Sequence, residues 1–224
     1  MRRALQHNGL GLAFGLLFVL ALLAQAVAGA AEYNEQQRTE GMDTLTVVEY
    51  VVTADFAVDV AENWQSEFLQ FLLFILATVW LVQRGSPESK ALDDVGRGTD
   101  EQQRVGAHAA PDSPACVRAG GWRLRVYSHS LVLVMGAVFL GSWVAQSVAG
   151  WSTYSEQQLQ QRLPAVDWAA YLTTPDFWSR TFQNWQSEFL AVGSMAVLAT
   201  YLRERGSPES KPVGDPHGTT GDAP

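Results

Sequence analysis

Two carboxylates, Glu67 and Glu188, each follow an asparagine, Asn63 and Asn184, by four residues at the head of an apolar run. On a helix that spacing puts amide and carboxylate on one face. Two glutamines, Gln25 and Gln146, fall at the ends of two further apolar runs, at a similar expected depth. Ionisable groups at membrane depth are costly and usually face protein or water. Gln25, Asn63, Glu67, Gln146, Asn184 and Glu188 thus make a candidate polar cluster able to hold a proton or a cation. The competing reading, which the shallow depth favours, is interhelical hydrogen-bond glue worth about 0.6–2 kcal/mol per contact, with the carboxylates reaching out to water.

These residues come in pairs because the chain repeats itself with an offset of 121 positions and no gap. NWQSEFL occupies 63–69 and again 184–190, and RGSPESK occupies 84–90 and again 205–211. AQAVAG at 24–29 returns as AQSVAG at 145–150, and YNEQQ at 33–37 returns as YSEQQ at 154–158. A repeat of this length outranks other signals. It predicts a duplicated membrane hairpin and leaves the activity open.

The elements that would position the cluster follow from the apolar runs. Residues 10–24 carry no charge, and residues 130–150 are interrupted only by glutamine and a few serines. Each run supplies about 20 residues, enough to cross a hydrocarbon core of roughly 30 Å. Residues 68–82 and 189–202 are shorter, so full spans there must begin near Asn63 and Asn184. That start places Trp64 and Trp185 as interfacial anchors, where indole rings prefer to sit. Thr174, Pro175 and Asp176 read as an N-cap, a first-turn proline and a first-turn acid. Thr46 and Glu49 have capping-box spacing, which predicts a short helix in the outer loop, and YxEQQ is expected to continue the first and third helices outward.

The expected architecture is an all-α integral membrane protein, with four transmembrane helices arranged as two tandem duplicated helical hairpins, that is, parallel repeats. Hairpin repeat 1 covers 1–90, with spans at about 9–29 and 63–83. Hairpin repeat 2 covers 122–211, with spans at about 129–149 and 184–203. Residues 91–121, rich in Gly, Pro, Asp and Arg without apolar periodicity, are expected to form a disordered cytoplasmic linker, and 212–224 a disordered tail.

Basic residues flank the spans unevenly. Arg2 and Arg3 precede the first; Arg84, Lys90, Arg97, Arg104, Arg118, Arg123 and Arg125 lie between the second and third; Arg203, Arg205 and Lys211 follow the fourth. The positive-inside bias then puts both termini and the linker in the cytoplasm. Nine of the 23 acidic residues lie between positions 32 and 67, against Arg38 alone. This gives a negative outer surface, whose simplest reading is a solvated loop.

In RGSPESK, Arg84 and Arg205 suit a helix C-terminus, and Gly85 and Gly206 are expected as C-terminal caps. A stop signal explains most of the motif. Arg84, Glu88, Lys90, Arg205, Glu209 and Lys211 remain candidates for cytoplasmic docking, because the identity of the two copies exceeds what a cap requires.

Other chemistry finds little support. Cys116 is the lone cysteine, so no internal disulfide can form. His7 and His129 lack partners at metal-ligand spacing and read as interfacial polar residues. Phosphate-binding glycine loops, nucleophile–base pairs and basic aromatic stripes are missing from the sequence. The expectation is a protein that is not an enzyme, without metal or cofactor and without nucleic acid as a partner. Arg2, Arg3 and the Ala26–Val27–Ala28 segment resemble a cleavable leader, but the same pattern recurs at 146–150, so a retained span is the simpler expectation.

The paired ENWQSEFL and QNWQSEFL elements, each followed by a short span and RGSPESK, together with AQxVAG and YxEQQ, resemble a bacterial family of four-helix membrane proteins known as domain of unknown function 6766. The resemblance implies a protein of the bacterial cytoplasmic membrane. The expected partners are the lipid bilayer and either a second copy or another membrane protein. It supplies no activity. The leading expectation is a structural or partner-binding role. A small transporter or channel subunit using the Glu and Gln cluster is the alternative, and a membrane-bound enzyme comes third.

Overall fold

The computed structural model describes residues 7–221. Arg2 and Arg3, which enter the orientation argument, and the last three residues of the tail lie outside the described residues.

Every regular element among the described residues is helical. The long helices are α1 (Gly9–Glu40), α3 (Ala54–Trp80), α6 (Ser130–Gln160) and α8 (Pro175–Tyr201). Short helices are α2 (Val47–Tyr50), α4 (Ala115–Ala119), α5 (Gly121–Ser128) and α7 (Trp168–Tyr171). The expected linker holds α4, two single 3-10 turns at Leu92–Asp94 and Gly106–His108, and connecting loops.

Of the long helices, α1 and α6 are long and apolar enough to cross a membrane. Their apolar side chains do not turn inward: Leu10, Phe14, Leu16, Leu17 and Leu20 of α1, and Leu131, Leu133 and Leu140 of α6, are all exposed. A helix that is apolar on all sides is stable either in a protein core or in lipid. At 27 residues each, α3 and α8 have the length but carry charged and polar residues through their first halves.

The chain divides into two compact units, residues 1–61 with 145–173, and residues 62–144 with 174–224. Each unit draws on both halves of the sequence, and α3 and α6 contribute residues to both.

In the first unit, α1 runs unbroken through YNEQQ to Glu40 and ends on Gly41, whose left-handed φ of 71° closes the helix. The loop that follows is tied back by Asn34, whose amide makes two bonds of 2.7 Å with the backbone of Leu45. At the corresponding place in the second half, Trp151 Nε1 and Ser155 Oγ both donate to the carbonyl of Val166, at 2.7 and 3.3 Å. The expected capping box at Thr46 and Glu49 forms, and those hydrogen bonds hold the Glu49 carboxyl below its ordinary range. Asp167 caps α7 through a 2.8 Å bond from the Ala170 amide.

Each short helix delivers a buried tyrosine onto a glycine. Tyr50 covers Gly29 and Tyr171 covers Gly150, with a single exposed-surface fraction of 4% for Tyr50 and none for Tyr171. A methyl group on Gly29 would fall 2.6 Å from the Tyr50 hydroxyl, and one on Gly150 would collide with the Tyr171 hydroxyl. AQxVAG thus ends in glycine because the ring occupies the space of a side chain. Tyr33 and Tyr154 lean on the same two rings, with centroids 5.7 and 5.4 Å away.

In the second unit, Thr174 caps α8 with Pro175 in its first turn, as the sequence predicts. Phe139, Trp143, Phe177, Trp178 and Trp185 then form an aromatic cluster centred on Trp143, with ring centroids 5.6–6.3 Å apart. Rings at these separations attract beyond their buried area.

Candidate functional site

The polar residues expected to act together fall into both units. Gln25 and Gln146 belong to the first, and Gln146 is fully buried. Asn63, Glu67, Asn184 and Glu188 belong to the second. Glu67 and Glu188 hold the same position in the two copies of NWQSEFL. Glu67 is exposed and Glu188 half-buried. Asn184 does not turn to Glu188: its amide donates back to the Arg180 carbonyl at 3.0 Å, within its own helix.

The neighbours of these residues carry more of the packing than the sequence indicates. Gln65, within NWQSEFL, is fully buried and accepts a 2.7 Å bond from Trp185 Nε1. Trp185 is therefore held by a hydrogen bond and the aromatic cluster, while its counterpart Trp64 is 41% exposed. Arg180 bonds Glu62 at 2.9 Å and Asp176 at 3.4 Å. Sequence reasoning did not single out Arg180 as a site residue. The signal available was its spacing of four from Asp176 on a capped helix, which predicts the weaker bond but not the stronger one, 118 residues away.

The RGSPESK segments depart from expectation in one respect. The helices before them stop at Trp80 and Tyr201, so Gly85 and Gly206 cap nothing. At the end of α8, Leu202 adopts an extended conformation and breaks the helix, and Arg203 Nη1 then bonds the carbonyls of Ala199, Thr200 and Leu202 at 2.8–3.3 Å. The guanidinium supplies the donors that terminal carbonyls need. Gly85 and Gly206 instead occupy a following turn, with φ of 86° and 88°.

Each RGSPESK is a closed loop built by its serines. Ser89 Oγ accepts from the Gln83 amide and Ser210 Oγ from the Glu204 amide, both at 2.9 Å. Ser86 and Ser207 accept from the Glu88 and Glu209 amides at 3.3 and 3.2 Å. Among the docking candidates, Arg84 and Arg205 are exposed. Lys90 donates to the Gly96 carbonyl. Lys211 is buried and donates to the carbonyls of Pro216, His217 and Thr219 at 3.0–3.3 Å. Burial, with Arg203 nearby, lowers its pKa. Glu88 and Glu209 meet as a hydrogen-bonded carboxyl pair, and Glu88 is raised to about 7, first by burial and then by that contact.

Tyr33, Gln37 and Glu40 of α1, Thr153 and Glu156 of α6, and Asp55 line a small polar cavity of about 50 Å³ in the first unit. Sequence reasoning treated YxEQQ only as helix extension. Its polar residues at period three to four were the legible signal, but the facing of the two motifs was not.

Over the described residues, the fold and these sites define an all-helical protein with two helices long and apolar enough to cross a membrane, and with polar loops tied to its helix ends. The chain belongs to the family described as Domain of unknown function (DUF6766), which matches residues 1–222. No curated protein and no solved structure matches it.

Proposed function

We propose that this chain is a multi-pass protein of the bacterial cytoplasmic membrane, with four spans in two tandem hairpins and both termini cytoplasmic, and that it works by holding a partner rather than by catalysing a reaction. The observation that carries this reading is where the repeated polar side chains are spent. Asn34, Ser89, Ser155 and Ser210 bond loop backbone close to helix ends. Such groups build a rigid surface and do not converge on a reacting atom.

The test combines topology and assembly. In intact cells, a single cysteine at Thr44 in a Cys116→Ser background is expected to react with a membrane-impermeant maleimide, and native Cys116 is not. Crosslinking in native membranes is expected to trap the chain in one stoichiometric complex, with itself or with another membrane protein. Labelling of Cys116 alone would overturn the orientation, and a strictly monomeric chain would overturn the partner-binding role.

A transporter or channel subunit is the second reading, favoured by the matching positions of Glu67 and Glu188 in the two copies of NWQSEFL. A cation flux in proteoliposomes that is lost in Glu67→Gln and Glu188→Gln would establish it in place of the first.

A further inference from the structure

The cavity between the two YxEQQ motifs contains an acceptor with nothing to accept from or donate to. Thr153 is 8% exposed, and its hydroxyl has no hydrogen-bond partner. A threonine inside a helix ordinarily bonds the carbonyl one turn back, and buried polar atoms left unpaired are rare and call for an explanation. Gln37, also buried, lines the same cavity, as do the exposed Glu40 and Glu156.

The charge around this cavity has one sign. Glu40, Asp55 and Glu156 line it, and no lysine, arginine or histidine does. Their fields converge on Tyr33, whose hydroxyl is pushed above its ordinary range by burial and then by Asp55, Glu156 and Glu40 in that order. Gln36 and Gln157, which hold the same position in the two motifs, complete the wall with amide groups.

The donor arrangement discriminates between cations. Among the described residues, no three carboxylate, histidine or cysteine groups lie close enough to share one metal ion. The carboxylates are distributed around the wall instead. A group that matches such a wall carries positive charge and several N–H donors pointing in different directions, as an ammonium does. The cavity volume of about 50 Å³ exceeds the roughly 30 Å³ share of one water and suits a group of that size.

We propose that the two YxEQQ motifs build a binding site for a small primary ammonium ion, with Thr153 accepting one N–H at the cavity floor and Glu40, Asp55 and Glu156 balancing its charge. The site goes beyond the partner-holding role and stands whether the chain crosses the membrane twice or four times.

The test is direct binding of radiolabelled methylammonium to the full chain in nanodiscs at constant ionic strength. Saturable binding is expected, displaced by unlabelled methylammonium but not by choline, whose quaternary nitrogen has no N–H to donate. Thr153→Val, which keeps the shape and removes the hydroxyl, is expected to raise the half-saturation concentration at least tenfold, and Glu156→Gln to do the same. Helical circular dichroism confirms that each variant is folded. Equal displacement by choline, unchanged binding in both variants, or displacement by micromolar calcium would each overturn the proposal.

Discussion

The two RGSPESK loops have the same seven residues and the same internal serine bonds, yet they live in different surroundings. Gly85 is packed under the C-terminal segment, so that a methyl group there would strike the His217 carbonyl, and its amide is bonded to the Thr220 hydroxyl at 2.8 Å. Gly206 has open space around it. The lysines differ too: Lys90 meets one carbonyl, whereas Lys211 is wrapped by three. Identical sequence therefore secures the same short-range bonds, and the neighbours decide which copy is buried. Gly29 with Tyr50 and Gly150 with Tyr171 behave in the opposite way, because there each copy brings its own partner within about two dozen residues.

The sharpest way to break this contrast is alanine at the two loop glycines. Both have a left-handed backbone, which costs about 1–2 kcal/mol for a residue with a Cβ. Gly206→Ala is expected to cost little beyond that. Gly85→Ala adds an overpacking cost of about 1–3 kcal/mol and should release the segment at 212–221. Hydrogen exchange of that segment is expected to accelerate at least tenfold in Gly85→Ala and to change little in Gly206→Ala. Equal acceleration would mean that the two loops are equivalent after all.

Next in size are Gly29→Ala and Gly150→Ala. Each forces a buried tyrosine to move, at about 1–3 kcal/mol, and thermal unfolding in detergent should fall by a similar amount in both. A large difference between them would show that the symmetry of these contacts is only apparent.

Lys211→Met removes the buried charged donor that ties three carbonyls of the C-terminal segment, at about 1–3 kcal/mol, while Lys90→Met should cost under about 1 kcal/mol. Comparison of the two variants by limited proteolysis of the C-terminal segment reads this directly, with faster cleavage only for the Lys211 variant.

The smallest effect is in pH. Glu88 is raised from the ordinary 4.5 to about 7 by burial and by its contact with Glu209. A carboxyl raised on folding favours the protonated form, so the contact between the loops is fully present below about pH 4.5 and is lost as the pH rises through about 7. Hydrogen exchange in the two loops, corrected for intrinsic rate, should therefore increase from pH 5 to 8. Glu88→Gln keeps a hydrogen bond without the charge and should flatten that increase.

Much of the local structure was legible in the residues. Thr46 with Glu49, and Thr174 with Pro175, announce helix starts because capping depends on side chains within one turn. The apolar runs announce α1 and α6 because length and composition alone decide whether a helix is able to cross a bilayer. The helix ends were read less well: Gly85 and Gly206 have the backbone expected of caps, but the extended Leu202 and the Arg203 guanidinium end α8 one turn sooner.

By itself, the sequence determined the repeated motifs, the helical class and the N-terminal caps of α2 and α8, all of which rest on periodicity and on contacts between residues a few positions apart. Only the tertiary structure decided that Arg180 reaches Glu62, that Glu88 meets Glu209, and that two YxEQQ motifs enclose one cavity with the Thr153 hydroxyl unpaired. Those pairings join residues more than a hundred positions apart. Their partners are chosen by how the helices pack, and the spacing of residues along one helix carries no record of that choice.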